Sequence, residues 1–483
     1  MNVRPVRIAM LVVLLAALAL PGGGANAGAS GSRARISPMV LRQTDGGRSA
    51  SFLIILASRA DVSGSAALTT KDAKAEFVYR TLRSWADRAQ APIIAVLNRM
   101  GASYRSHFLV NMLTVTGPRS VVEALAARDD VAAIEPNVMM RSTILPTTPP
   151  RIAPSSSQSI SWNVLRVKAP KVWAQGFTGQ GIVIGDIDTG QQWDHPALKT
   201  HYRGWDGSNA DHDYNWWDAI DGSNKAPVDP DGHGTLTAGI IVGDDGGSNR
   251  IGVAPGAQWI ACRAMDDQGF GSPDTYTTCF EFMIAPWDLN GQNPDPTKAP
   301  AAVSNSWFCS ISLEGCTQSV LYQVVANVKA AGIVPVVAAG NSGPGCRTIG
   351  IDGPPAQYAE SYTVGATTFE NGLATFSSRG PASFQGARIK PDIVAPGEDV
   401  RSSWPPNTYA IESGTSISPP HISGVIALIY SAKPSLIGDV DGTETLIDQT
   451  ATHINSAECS SNGTYPNNLY GYGFVNAAKA AKP

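Results

Sequence analysis

Gly181-Ile182-Val183-Ile184-Gly185-Asp186-Ile187-Asp188-Thr189-Gly190 is an apolar run that ends in a carboxylate and a glycine turn. A run with so little polar alternation reads as a strand buried on both faces, as in a parallel sheet covered by helices. Open sheets of that kind place their chemistry at the carboxyl ends of the strands, which puts Asp188 at the reactive edge. Asp186 lies two residues earlier on the same strand face. It competes for the same role, but Asp188 is nearer the strand end and Asp186 reads as a hydrogen-bonded buried carboxylate.

Two further stretches supply what a carboxylate at such an edge can orient. In Asp231-Gly232-His233-Gly234-Thr235-Leu236-Thr237-Ala238-Gly239, a histidine sits between two glycines ahead of small residues that let a helix pack closely. In Gly414-Thr415-Ser416-Ile417-Ser418-Pro419-Pro420-His421-Ile422-Ser423-Gly424, a serine leads into apolar residues at helical spacing, with two prolines in the first turn. Ser416 therefore sits at a helix N-terminus, where free N–H groups and the helix dipole favour a developing negative oxygen. A lone serine there would read as a cap. A serine hydroxyl needs a base within hydrogen-bond reach and a third group to hold that base, and His233 and Asp188 are the candidates.

These three stretches, in the order Asp, His, Ser, resemble the active-site signatures of the subtilisin-like serine proteases, the subtilases. A fourth, Ala338-Ala339-Gly340-Asn341-Ser342-Gly343, resembles the segment carrying that family's oxyanion-hole asparagine, which assigns the role to Asn341. The resemblance covers about residues 162–475. It implies an α/β, doubly wound, mostly parallel sheet with helices on both faces, and peptide hydrolysis through Asp188, His233 and Ser416 by way of an acyl-enzyme. No cofactor is implied for the chemistry. Leu236 and Pro419 depart from the family's usual residues without touching the triad, and His421 reads as a packed structural histidine. Residues 303–308, Val-Ser-Asn-Ser-Trp-Phe, resemble the strand that pairs with substrate. The substrate-binding candidates are Ser306, Trp307 and Phe308, with Phe308 standing where many relatives have glycine. The segments around 353–358, 376–381 and 390–397 resemble scaffold, and the chain closes on a stretch similar to the family's last one, with no appended domain expected.

Residues 1–27 read as a secretory signal peptide: Arg4 and Arg7, an apolar run from Ile8 to Leu20, and Ala25-Asn26-Ala27 as the cleavage pattern. No later stretch offers about 20 uninterrupted apolar residues, so export without a membrane span, to the extracellular space or periplasm, is expected. After a spacer (28–50), residues 51–141 read as a small α+β unit with a split βαβ, ferredoxin-like pattern: a strand at 52–56, a helix at 71–98, strands within 103–116, a helix at 120–127 and a strand at 131–136. It resembles the inhibitory propeptide of subtilases, acting as intramolecular chaperone and inhibitor. Residues 142–157, rich in Pro, Thr and Ser, are the linker with the processing site, and 158–483 the catalytic domain.

The chain has 483 residues, 43% of them hydrophobic, and a formal net charge of −4 with no long basic run, which leaves no footprint for nucleic acid. Polypeptide substrates and a monomeric enzyme are expected. The loop between Asp188 and His233 is dense in aromatics and acids and, with residues 290–296, is similar to the bacillopeptidase F branch of the family. It is open to two readings, a structural calcium site and a solvated acidic loop. Six cysteines in an exported domain favour disulfides, with about 15 connectivities open; only Cys309 with Cys316 is suggested by closeness in sequence. Neither a Cys-x-x-Cys nor a His-Glu-x-x-His motif occurs, which argues against a zinc protease. A secreted esterase of the α/β-hydrolase type would need the order Ser, acid, His and a Gly-x-Ser-x-Gly elbow, which the sequence lacks. A catalytically impaired, peptide-binding relative is the other alternative.

Overall fold

Parallel pairing throughout the main sheet follows from strands that are apolar on both faces. In a computed structural model, which describes residues 34–141, 150–156, 159–309, 311, 316–350 and 353–482, seven strands lie in the order Trp216–Asp218, Gln258–Arg263, Val183–Asp188, Ala302–Asn305, Val334–Ala338, Tyr362–Thr367 and Ile393–Pro396. Every pairing among them is parallel. The helices His233–Val242 and Ser418–Ala432 cover one face, and Pro273–Ile284 and Tyr322–Ala330 the other. The Val183–Asp188 strand lies near the middle, buried between both layers, so Asp188 emerges at the carboxyl edge between two neighbours.

The N-terminal unit is a five-stranded sheet in the order Arg35–Ile36, Val131–Pro136, Ala50–Leu56, Met112–Gly117 and Ser103–His107. The last four pair antiparallel with one another, and with the helices Lys71–Met100 and Arg119–Ala126 they give the split βαβ order expected from the sequence. The unit starts earlier than residue 51. Arg35–Ile36 adds a parallel edge strand against Ala133 and Ile134, Val40 on the helix Pro38–Gln43 is wholly buried, and Ala50 already pairs with Gly117. Residues 34–50 are thus part of the fold, not spacer. Residues 1–33 and most of the linker lie outside the described residues. Among the described residues no helix is long and apolar enough to cross a membrane.

The N-terminal sheet packs on the helix Pro273–Ile284. His107, wholly buried, lies with Nδ1 3.2 Å from Glu281 and Nε2 2.8 Å from Asp274. Arg105 pairs with Asp274 at 2.9 Å, and the N–H groups of Phe108 and Leu109 donate to Glu281. Asn327 donates to the Leu109 carbonyl at 2.6 Å. Beyond the N-terminal sheet, Met140–Arg141 pairs antiparallel with Phe270–Gly271, and Arg151–Ala153 pairs antiparallel with Tyr409–Ile411, the strand that leads to Ser416.

Candidate active site

His233 reaches Asp188 because nothing bulky separates their elements. Gly234 lies so close to the turn after Asp188 that a Cβ there would fall 1.9 Å from the Gly190 carbonyl oxygen, and Gly232, at φ 102°, would drive a Cβ into the Trp404 ring at 2.5 Å. With both glycines in place, His233 Nδ1–H donates to Asp188 Oδ1 at 2.7 Å, and the Thr189 N–H donates to the same oxygen at 2.7 Å. Both side chains are buried. His233 Nε2 is buried and makes no hydrogen bond to a described residue, the Ser416 hydroxyl included.

Burial alone would push the His233 pKa down. The charge of Asp188 and its hydrogen bond, helped by Asp231 and Asp229, outweigh that and raise it to about 9. Asp231 adds a direct contact, accepting from the His233 backbone N–H at 3.3 Å.

The helix start that carries His233 is held by Asp229, a residue the sequence reading did not single out. Its Oδ1 accepts from Thr189 Oγ1 at 2.8 Å and the Gly232 N–H at 2.9 Å, while Oδ2 accepts from the Thr235 N–H and hydroxyl at 2.7 and 2.6 Å. Burial, against these hydrogen bonds, raises its pKa to about 6. An acid four residues ahead of the helical histidine was the available signal, since the first turn of a helix has unpaired N–H groups to satisfy.

Ser416 sits in a short 3₁₀ turn, Thr415–Ile417, and the α-helix starts just after it at Ser418. The prolines explain the break. In an α-helix the amides of residues 419 and 420 would bond the carbonyls of Thr415 and Ser416, and proline has no N–H to do so. The Ser416 carbonyl instead accepts from the Ser306 hydroxyl at 2.6 Å. His421 is structural: Nδ1–H donates to the Ile417 carbonyl at 3.0 Å and Nε2 accepts from Asn163 Nδ2 at 2.8 Å, with burial holding the pKa down to about 3.

Asn341 follows the strand Val334–Ala338, and Thr415 fixes its amide. The Thr415 N–H and hydroxyl donate to Asn341 Oδ1 at 2.9 and 2.8 Å, and Thr415 Oγ1 accepts from the Gly340 N–H at 3.1 Å. Nδ2 is thereby turned toward Gly414, where a Cβ would lie 3.6 Å from it and 3.1 Å from Ser416 Oγ. Glycine keeps the space between the serine oxygen and the amide clear.

The structure brings Asp188, His233, Ser416, Asn341 and Ser306 to the one sheet edge. Trp307 and Phe308, named as substrate-binding candidates, turn their side chains into the core. The Trp307 ring stacks on Tyr276 with centroids 4.0 Å apart, and Phe308 is 2% exposed. The strand Ala302–Asn305 ends just before them, and these rings fill the layer beneath the Pro273–Ile284 helix.

Cys309 pairs with Cys316, and two pairings that the sequence left open are Cys262–Cys279 and Cys346–Cys459. Among the described residues no group of three or more His, Cys, Asp or Glu side chains is arranged to hold a metal ion. In the acidic loop Asp206, Asp211 and Asp221 instead accept backbone N–H groups two or three residues on.

Residues 179–473 match the subtilase family. The chain is 36% identical to bacillopeptidase F of Bacillus subtilis over 435 residues, which is 86% of this chain and 29% of that protein. It is 31% identical to subtilisin Savinase of Lederbergia lenta over 337 residues, covering 68% of this chain and all of that one. With subtilisin E of Bacillus subtilis it shares 29% identity over 390 residues, 80% of this chain and 85% of that protein. With its parallel sheet and the family match over most of its length, the chain belongs to the subtilase family of serine endopeptidases.

Proposed function

We infer that this chain is an exported endopeptidase, made as a zymogen, in which Asp188, His233 and Ser416 cut peptide bonds and residues 34–141 form a propeptide that is removed by the enzyme itself. The observation that carries the catalytic reading is the Asp188–His233 hydrogen bond, which holds a proton on Nδ1 and leaves the lone pair of the neutral ring on Nε2, an atom that no described residue hydrogen-bonds. Neutral His233 takes the Ser416 proton as Oγ attacks the scissile carbonyl carbon, and Asp188 holds the resulting imidazolium. The carbonyl oxygen, now negative, receives a hydrogen bond from Asn341 Nδ2, whose other end Thr415 secures. His233 then gives the proton to the leaving amine. Water repeats the sequence on the acyl-enzyme, with His233 as base and then acid, and frees Ser416. Main chain, rather than the buried rings of Trp307 and Phe308, is what residues 306–308 offer a peptide. No cofactor enters any step.

The zymogen reading is supported by the two flanking pairings: Met140–Arg141 pairs with Phe270–Gly271 and Arg151–Ala153 with the strand that leads to Ser416, so the stretch to be cut, between about 137 and 157, is tethered on both sides to the enzyme that would cut it. The pattern of residues 1–27 supports export. A fluorophosphonate probe tests catalytic competence: the mature wild type should be labelled at Ser416 and nowhere else, and a folded, unlabelled protein would favour the peptide-binding alternative.

A further inference from the structure

Asp186 is a second carboxyl group inside the catalytic layer. It is wholly buried, lies on the Val183–Asp188 strand on the same face as Asp188, and among the described residues makes no ion pair. Its Oδ2 is 2.8 Å from Thr237 Oγ1 and accepts from Gln191 Nε2 at 3.1 Å. Gln191 belongs to the turn after Asp188, and Thr237 stands one turn into the helix that His233 begins. Asp186 therefore joins the elements that carry the two triad members.

The protons in this contact can be counted. Thr237 Oγ1 lies within hydrogen-bond distance of two oxygens, Asp186 Oδ2 and the Gly234 carbonyl at 3.0 Å. A hydroxyl has one proton to donate. Were Asp186 ionised, one of these acceptors would be left without it. With a proton on Oδ2, the carboxyl donates to Thr237 and Thr237 donates to Gly234, and every contact is satisfied. Oδ1, which no donor reaches, is then the carbonyl oxygen of a neutral acid. The register neighbours of Asp186 on the adjoining strands, Ala261 and Ser304, supply no charge. The titratable groups that face it are Asp188 and His233, and burial together with the Asp188 charge disfavours a second anion here.

We propose that Asp186 is a positioning residue, kept neutral, whose proton anchors Thr237 and the Gly234 carbonyl and so holds His233 in register with Asp188. This rests on the reading of Asp188, His233 and Ser416 as the triad. Asparagine reproduces the neutral donor, since its Nδ2 can donate to Thr237 while Gln191, whose Oε1 has no partner, turns its amide to accept.

The test is steady-state kinetics of the mature enzyme across pH, well below the melting temperature of each variant. Asp186→Ala should lower kcat about 10-fold with KM within about twofold, because a small misplacement of the base costs chemistry and not binding. Asp186→Asn should restore kcat to within about threefold and leave the acid limb of the kcat/KM profile where the wild type has it. An acid limb displaced by half a unit or more in Asp186→Asn would mean that a charge had been removed, and would overturn the neutral assignment. Unchanged kcat in Asp186→Ala would overturn the positioning role. Should Asp186→Ala fail to fold, Thr237→Val breaks the same relay at similar volume, with the same loss expected and an unchanged kcat again contradicting it. Ser416→Ala run alongside separates the two readings: activity there would sink the triad, whereas an inert Ser416→Ala beside a fully active Asp186→Ala would sink only the positioning role.

Discussion

His107 Nε2 lies 2.8 Å from Asp274 Oδ1, across the junction between the N-terminal sheet and the helix that underlies the catalytic layer. Burial works against charge on His107, but Glu281 and Asp274 outweigh it and raise the pKa to about 9. Asp274 is pulled the other way: burial would raise it, yet the hydrogen bond and charge of His107, with Arg105, bring it down to about 2. The raised histidine contributes its full stabilisation below its ordinary pKa of 6.5 and loses it as pH rises through about 9. The depressed carboxyl contributes above 3.8 and loses its share as pH falls through about 2. Docking of the N-terminal unit should thus be tightest between about pH 4 and 6.5 and weaken toward pH 9. The Ser416→Ala precursor, which keeps the unit attached, should melt at lower temperature as pH rises across that range. His107→Gln should flatten the slope, and an identical slope in His107→Gln would remove this pair as its cause.

Activity should depend on pH through His233 in the opposite direction from docking. Imidazolium cannot accept the Ser416 proton, so kcat/KM should rise as His233 loses its own proton, with a midpoint above the ordinary 6.5 and toward 9. Asp188→Asn removes the charge that holds the pKa up, and the midpoint should move down while kcat falls by about 10⁴. His233→Ala should abolish the acid limb with nearly all activity. An acid limb unchanged in His233→Ala would assign the base elsewhere.

Asn341→Ala should lower kcat by about 10²–10³ with little change in KM, a magnitude that comes from a member of the same family. Thr415→Val leaves the amide in place but removes the hydroxyl that orients it, and a smaller loss, about 10-fold, is expected in kcat alone. A loss confined to KM in either variant would make Asn341 a ground-state binding residue.

Much of this site was legible because its chemistry is tied to short, local patterns. Asp188, His233 and Ser416 each stand beside glycines or prolines whose backbone consequences are predictable, and the clearances at Gly232 and Gly234 show why no other residue would serve there. Asp229 was not legible, since its four hydrogen bonds connect residues across the Asp188 turn and the next helix, and sequence alone does not say which acid closes such a circuit. Trp307 and Phe308 are substrate-binding candidates only through the resemblance of residues 303–308 to a substrate-pairing strand, and the direction of their side chains is set by the ring of Tyr276 and the helix above them. The early start of the N-terminal unit was hidden because Arg35–Ile36 is a two-residue strand, and only its parallel partner at Ala133 and Ile134 makes it one. The pairings Cys262–Cys279 and Cys346–Cys459 depend on tertiary proximity, the second across 113 residues.

Self-cleavage by Ser416 is tested most directly by removing the nucleophile. Purified Ser416→Ala, free of any other protease, removes one hydroxyl from a buried turn and should fold normally. It should remain a precursor with residues 34–141 attached, read by mass spectrometry over a time in which the wild type releases that segment by a cut between about 137 and 157. Efficient release of the segment from Ser416→Ala would show that Ser416 is not the nucleophile that makes the cut.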